Sequence, residues 1–268
     1  MKLISIVLIC SCILILLGLS VLIFTLSKNY ICESDTVYFN IENVNIRVLR
    51  KTKVRYQKRV FAEKLFRKCV VNLIQRGIVK GGIIDLGAWI GDNAAPWAKL
   101  IKEKVYAIDP SPTNCALVKN LKNLNSLDNL IIIQKAIGAK EGELQIKEGN
   151  IDHASFQEVE KGPSTIHMET LDSLVEKGNI DEKVGFIHLD VEGMEYDVLI
   201  GALQLIKRDL PVISTEAHKG DRDVSEILKP LNYIGWELPE VCGNPSCRNT
   251  IWIHSPSSNV VQYMNHII

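Results

Sequence analysis

The hydrophobic positions fall into three regimes along the 268 residues. The first is continuous: residues 3–26 carry no charge, between Lys2 and Lys28. At about 1.5 Å per residue a helix of that length reaches about 36 Å, more than the roughly 30 Å of a bilayer's hydrocarbon core. It reads as a membrane anchor. A signal peptide has a shorter apolar region, and the best small-x-small site, Gly18 with Ser20, is weak. A buried core helix seldom runs so long without charge. The basic run Arg47, Arg50, Lys51, Lys53, Arg55, Lys58 and Arg59 begins near the limit at which flanking charge orients a span. The side of the membrane therefore stays undecided.

The second regime mixes short patterns. After a linker, residues 37–41 and 44–49 carry β-branched and aromatic residues around Glu42-Asn43, which predicts a hairpin. Residues 54–77 place Val60, Leu65, Cys69, Val70, Leu73 and Ile74 near helical spacing and stop at Gly77. The basic residues there read as a solvated face in preference to a lipid-binding one.

From residue 81 apolar runs alternate with amphipathic stretches. Strands are predicted at 83–86, 105–108, 130–133, 184–189, 211–215, 232–237 and 250–254. Helices are predicted at 93–102, 112–123, 171–176, 195–207 and 222–229. Residues 143–147 are a candidate strand, 151–163 a polar loop and the last residues a tail. Apolar runs of this kind suit strands buried on both faces, joined by right-handed crossovers. The expected fold is α/β and Rossmann-like, a mostly parallel seven-stranded sheet with helices on both faces, behind an N-terminal transmembrane helix. The segments are 1–27 (anchor or signal sequence), 28–79 (linker, hairpin and helix), 80–255 (core domain) and 256–268 (tail).

Charge and cysteine narrow the partners. The 31 basic and 31 acidic residues cancel, so nothing suggests long-range attraction to nucleic acid, and no nucleic-acid partner is expected. Of seven cysteines, Cys10 and Cys12 lie in the span and Cys32 follows it. Cys69 and Cys115 sit in helical patterns as core residues. Cys242 and Cys247 close a small disulfide loop or stay two thiols. A structural zinc site would need His254 and a further ligand, and no metal is assigned.

Four strands end in an acid, Asp85, Asp109, Asp190 and Glu216, at the edge where open α/β sheets bind ligands. Asp109 stands 24 residues after Asp85, where an acid accepts from a ribose diol. That points to an adenosine cofactor. Its type is read from the turn Gly87-Ala88-Trp89-Ile90-Gly91. A pyrophosphate motif has glycine where Trp89 stands, and an indole there obstructs it. An acid ahead of the first glycine suits a cationic, phosphate-free ligand. The D-x-G-x-x-x-G spacing therefore favours S-adenosylmethionine over NAD, and an NAD-dependent oxidoreductase is the weaker alternative.

With these pieces in place, the chain resembles the FkbM family of S-adenosylmethionine-dependent methyltransferases. The matching stretches are Ile84-Asp85-Leu86-Gly87-Ala88-Trp89-Ile90-Gly91-Asp92-Asn93, Asp109-Pro110-Ser111-Pro112-Thr113-Asn114, Thr170-Leu171-Asp172-Ser173-Leu174, Leu189-Asp190-Val191-Glu192-Gly193-Met194-Glu195, Val198-Leu199-Ile200-Gly201-Ala202 and Thr215-Glu216-Ala217. Together they cover about residues 80–240. The resemblance implies a Rossmann-like domain that methylates a hydroxyl, often on sugars, polyketides or other secreted or surface molecules. Carried over by position, Asp85, Gly87 and Gly91 shape the cofactor turn, with Ala88, Trp89 and Asn93 along it. Asp109 and Pro110 meet the ribose. Asp190 and Glu192 face the methionine end and the acceptor. Family members usually carry a small or amide residue, often Asn, where this chain has Trp89.

Methyl transfer is an in-line displacement, so the protein supplies positioning and a proton acceptor. The catalytic candidates are Asp190, Glu216 and His218, and a histidine titrates in the useful range. Strand-interior His188 reads rather as a packed polar residue. A Mg²⁺ ion on Asp190, Glu192 and Glu216 has suitable ligands but is not assigned. The expected activity is an S-adenosylmethionine-dependent methyltransferase (EC 2.1.1 class) acting on a small-molecule or glycan acceptor, held by a single-pass N-terminal membrane anchor. The alternative is a membrane-tethered, catalytically inactive methyltransferase-fold binding protein, which only Trp89 supports.

Overall fold

The computed structural model describes residues 35–146, 156–158, 165–218, 220–242 and 247–267. The expected span at 3–26 lies outside them. Among the described residues no helix is long and apolar enough to cross a membrane.

The hairpin forms as its sequence predicts. Strands β1 (Thr36–Ile41) and β2 (Val44–Leu49) pair antiparallel, and Glu42 and Asn43 both take positive φ, the geometry of a tight two-residue hairpin turn. On its free side β2 meets a side chain. The Arg47 N–H donates to Asn125 Oδ1 at 2.8 Å, and Asn125 Nδ2 donates to the Arg47 carbonyl at 2.8 Å. The single helix expected at 54–77 is two, α1 (Lys53–Ala62) and α2 (Lys64–Gln75). Glu63, at φ −126° and ψ 45°, breaks the register. The first turn of α2 is capped from afar, because Glu240 Oε2 accepts the Leu65 and Phe66 N–H groups at 2.7 and 3.0 Å. Gly77 ends the helix at φ +65°, as glycine does where a helix closes in left-handed geometry.

The main sheet follows as β3 (Gly82–Leu86), β4 (Val105–Ile108), β5 (Leu130–Ile133), β10 (Val184–Leu189), β11 (Val212–Ala217), β12 (Tyr233–Val241) and β13 (Arg248–His254). Its order is β12-β13-β11-β10-β3-β4-β5. The five strands from β11 to the β5 edge run parallel, and β13 is antiparallel to both β11 and β12. The order reverses at β3, so the carboxyl ends of β3 and β10 flank the switch-point crevice.

Period-two alternation divides the core into two layers. Ile83, Ala107, Phe186 and Ile251 face one layer, with α2, α3 (Ala94–Leu100), α4 (Pro112–Asn125) and the hairpin. Ile84, Ile108, Ile187 and Ile213 face the other, with α5 (Leu171–Glu176), α6 (Glu195–Ile200), α7 (Leu203–Asp209) and α8 (Ser225–Leu228). Residues 35–79 therefore share the core of the domain expected to begin at 80.

Three further expectations change. The region 136–170, where only 143–147 was a candidate strand, holds a whole second sheet from β6 (Ala136–Ile137), β7 (Gly142–Ile146), β8 (Phe156–Glu158) and β9 (Thr165–Glu169), in the order β6-β9-β7-β8, with β7 at the candidate position. Within the expected polar loop 151–163, residues 156–158 are thus strand, and the rest of that loop lies outside the described residues. The expected helix 195–207 breaks between α6 and α7, where a Cβ on Gly201 would stand 2.1 Å from the Gly138 carbonyl oxygen. The expected tail is a helix, α9 (Ser258–Ile267), which buries Met264 completely and offers Asn265 Oδ1 to Trp236 Nε1 at 2.8 Å.

Because Met264 is enclosed by the first layer, Met264→Ala should cost about 2–5 kcal/mol of stability. Urea unfolding would read this as a lower midpoint with an unchanged slope. An unchanged midpoint would make α9 the tail that the sequence predicts.

Candidate active site

The glycine turn is built by close approach. Gly87 has φ +78°, and a Cβ there would lie 1.8 Å from the Asp190 carbonyl oxygen, so no side chain fits. Trp89 and Gly91 also take positive φ, +43° and +76°. That region is at ease for Gly or Asn and strained for Trp, which gives a physical reason for the amide usual at this position. The Trp89 indole packs against the first core layer.

The N–H groups of this turn are largely spoken for. Those of Gly87 and Ala88 donate to the Ile108 carbonyl at 3.0 and 3.2 Å, and that of Gly91 to the Ala88 carbonyl at 2.6 Å. The Trp89 N–H donates to Asp109 Oδ2 at 2.9 Å. A phosphate cradle needs such groups unspent, and this turn has spent four of them on itself and on the end of β4.

Asp109 is a hub. Besides Trp89 it accepts the Ser111 N–H at 2.8 Å, and the Asn114 amide donates to both of its oxygens at 3.1 Å. Burial still pushes its carboxyl above the usual range, against the bonds from Ser111, Asn114 and Trp89. The expected ribose acid is thus engaged by the chain itself, with Pro110 beside it. Asn114, which sequence reasoning passed over, carries a buried Oδ1 without a hydrogen-bond partner among the described residues.

Asp85 is buried in β3. Its Oδ2 also has no partner among the described residues. Its carboxyl is raised well above the usual range by burial first, then by Asp92, Asp190 and Asp109. Four carboxylates therefore share one low-dielectric edge, and a ligand cation there would lower the cost of ionising them.

Beneath the turn runs a buried polar chain. His188 pairs in register with Asp85 on one side and Ser214 on the other. Its Nδ1 lies 2.8 Å from Ser214 Oγ, and its Nε2 lies 3.5 Å from Asn93 Nδ2. If Asn93 donates, Nε2 is the acceptor and the imidazole is neutral. Asn93 Oδ1 accepts from Arg67 Nε at 3.0 Å, and Arg67 Nη2 meets Asp92 Oδ2 at 2.7 Å and Glu63 Oε2 at 3.4 Å. Two predicted residues thus turn inward. Asn93, expected along the cofactor turn, spends its side chain on Arg67 and His188, and His188 is the packed residue its strand position implies. Arg67 was missed, although a basic residue amid Phe66, Cys69 and Val70 on a buried helix face was the available signal.

The loop after β10 is held by another unpredicted acid. Glu195 Oε1 accepts the Val191 N–H at 3.0 Å and the Gly193 N–H at 3.4 Å. Glu192 (φ +53°) and Gly193 (φ +92°) carry the bend, and Glu192 is exposed. Asp190 N–H donates to the Leu86 carbonyl at 3.1 Å, which fixes the strand end beside the glycine turn. After β11, His218 Nε2 lies 3.7 Å from Glu216 Oε1, and its Nδ1 lies 3.7 Å from Asp221 Oδ2. Asp221 Oδ1 would stand 3.5 Å from a Cβ on Gly193. The loops bearing Asp190 and His218 therefore adjoin.

Comparison with known proteins bears on the family. A family model described as the methyltransferase FkbM domain matches residues 85–238. Among solved structures, a methyltransferase FkbM from Methylobacillus flagellatus aligns over 76% of this chain and 59% of its own, at 16% identity and TM-score 0.46. The chain thus spans less than two thirds of that protein. A precorrin-6y C5,15-methyltransferase from Geobacter metallireducens aligns over 70% and 89%, at 10% identity and TM-score 0.41. A putative O-methyltransferase from Klebsiella pneumoniae aligns over 69% and 79%, at 10% identity and TM-score 0.43. No curated protein sequence matches.

Glu195 makes the loop pH-sensitive. Burial raises its carboxyl from 4.5 to about 7, against the lowering bonds from its own, the Val191 and the Gly193 N–H groups. The folded form holds this proton more tightly than the unfolded chain, so its contribution to stability is full below the unfolded value. It is lost as pH rises through about 7. Glu195→Gln should flatten that part of a stability–pH profile measured by denaturant titration. An unaltered slope would remove Glu195 as its source.

Proposed function

The chain belongs to the FkbM methyltransferase family, and we propose that it transfers a methyl group from S-adenosylmethionine to a hydroxyl of a sugar or another small or secreted acceptor. The observation that carries the cofactor is the combination of an acid-rich edge with a turn whose N–H groups are spent. Such a site favours a cation and disfavours a pyrophosphate. The residues fit the group. The unpartnered Asp85 Oδ2 and Asn114 Oδ1 are acceptors suited to ammonium and hydroxyl donors, and Gly87 leaves the backbone bare at the crossing with Asp190. Asp109 and Asn114 would hold the ribose, Asp85, Gly87 and Asp190 the methionine end.

When bound, the cofactor supplies an activated methyl on a sulfonium with a neutral sulfide as leaving group. The chain orients the acceptor and takes its proton. His218 is the group for that step, since it stands between the carboxylates of Glu216 and Asp221. Asp190 is the positioning carboxylate at the end of β10. The uncharged stretch 3–26 supports a single-pass membrane anchor for the domain.

Calorimetry with S-adenosylmethionine and its demethylated product should give one site, and Asp109→Ala should weaken it strongly. Absence of binding by the intact chain would sink the enzyme reading. In a glycan and small-alcohol acceptor panel, His218→Gln should lower kcat by about 10²–10⁴ with KM little changed. For the anchor, alkaline carbonate should leave the full chain in the membrane fraction and detergent should release it. Extraction by carbonate alone would argue against a spanning segment.

A further inference from the structure

Beside the proposed base lies a disulfide that methyl transfer does not use. Cys242 and Cys247 join the ends of β12 and β13 in a disulfide with Cα atoms 5.3 Å apart. Both are buried, as is Glu216. Cys247 Sγ lies 2.6 Å from Glu216 Oε1, and the ligand atoms of all three residues fall within 4.8 Å of one another. A disulfide sulfur has no proton to donate. A reduced Cys247 thiol, unlike the disulfide, has a proton to offer this buried carboxylate. The geometry thus serves the reduced pair as well as the oxidised one.

The donor set names the cation. Two thiolates with one carboxylate select zinc among the common divalent ions. The Cys-x4-Cys spacing is within the range of zinc ligand pairs, and His218, outside that cluster of three, has its Nε2 3.7 Å from the same Glu216 oxygen. Charge is conserved between the two states. The oxidised cluster holds the single negative charge of Glu216. Zn²⁺ with two thiolates and the carboxylate also sums to one negative charge, so the exchange adds no net charge to the interior.

We propose that Cys242, Cys247 and Glu216, completed by His218, form a redox-gated Zn²⁺ site that is closed as the disulfide and opens on reduction. Reduction breaks the S–S bond with two electrons and two protons from a dithiol, which becomes a disulfide in turn. Zn²⁺ then displaces the two thiol protons to solvent. The metal engages Glu216 and His218, so a filled site withdraws both from proton transfer.

The test uses the full chain in detergent, oxidised or reduced with a dithiol that is then removed anaerobically, and titrated with Co²⁺ as a spectroscopic probe. The reduced protein should take up one equivalent, with a thiolate-to-metal charge-transfer band that Zn²⁺ abolishes, while the oxidised protein gives none. A double variant, Cys242→Ser with Cys247→Ser, keeps Cys69 and Cys115 and should lose the band. Glu216→Gln should weaken Zn²⁺ by about tenfold or more. No band in the reduced wild type, equal uptake by the oxidised form, or a band retained in the double variant would each overturn the proposal. None of these readouts depends on turnover, so failure of the methyltransferase reading leaves the test intact.

Discussion

A single buried guanidinium ties the parts of this protein to one another. Arg67 comes from a helix that precedes the main sheet, yet its charge is spent on Asp92 and its Nε on Asn93, the two residues that follow the glycine turn. Removing such a charge from water is costly unless its partners are well placed. Here the partners are the residues that open α3. Asn93 passes the constraint to His188, and His188 passes it to Ser214 on the next strand. The hairpin and first helices are therefore the floor of the site, not an appendage to the core domain.

The turn above that floor departs from a phosphate-binding loop for a reason visible in its bonds. Three of its five residues take positive φ, a geometry that elsewhere aims several N–H groups at an anion. In this chain the end of β4 and Asp109 consume those donors. Asp109 thereby acts first as an internal organiser, and Asn114 at the start of α4 keeps a buried acceptor without a partner among the described residues. The same acids that raise the Asp85 carboxyl make the edge receptive to positive charge.

Much of this was legible in the sequence, and the remainder had physical reasons to stay hidden. Apolar runs ended by an acid marked β3, β4 and β10 with nearly correct bounds, and Glu42-Asn43 marked its turn. Periodicity carried straight across Glu63 and Gly201, because one non-helical residue barely shifts the apolar phase. In the small sheet β7 was marked by the candidate strand 143–147, β9 was not marked, and β6 and β8, of two and three residues, are too short to show alternation. The helix α9 was missed because it follows the last strand and buries fully only Met264. In the site, the strand-end acids and glycines could be read from spacing. The Cys242–Cys247 bond could be weighed but not decided. Glu195 and Asn114 could not be found, since their roles depend on which loop N–H groups and carboxylate oxygens come within reach.

Asn125 shows how the hairpin is kept from harm. An unpaired strand edge offers alternate N–H and C=O groups to any passing chain, and proteins commonly blunt such edges. Asn125 presents one acceptor and one donor to Arg47 at 2.8 Å each, the same pair that a neighbouring strand would offer. A single amide side chain thus occupies the seat of a missing strand. The hairpin is docked to α4 by that mimicry, and the middle of β2 is closed to edge-to-edge self-association.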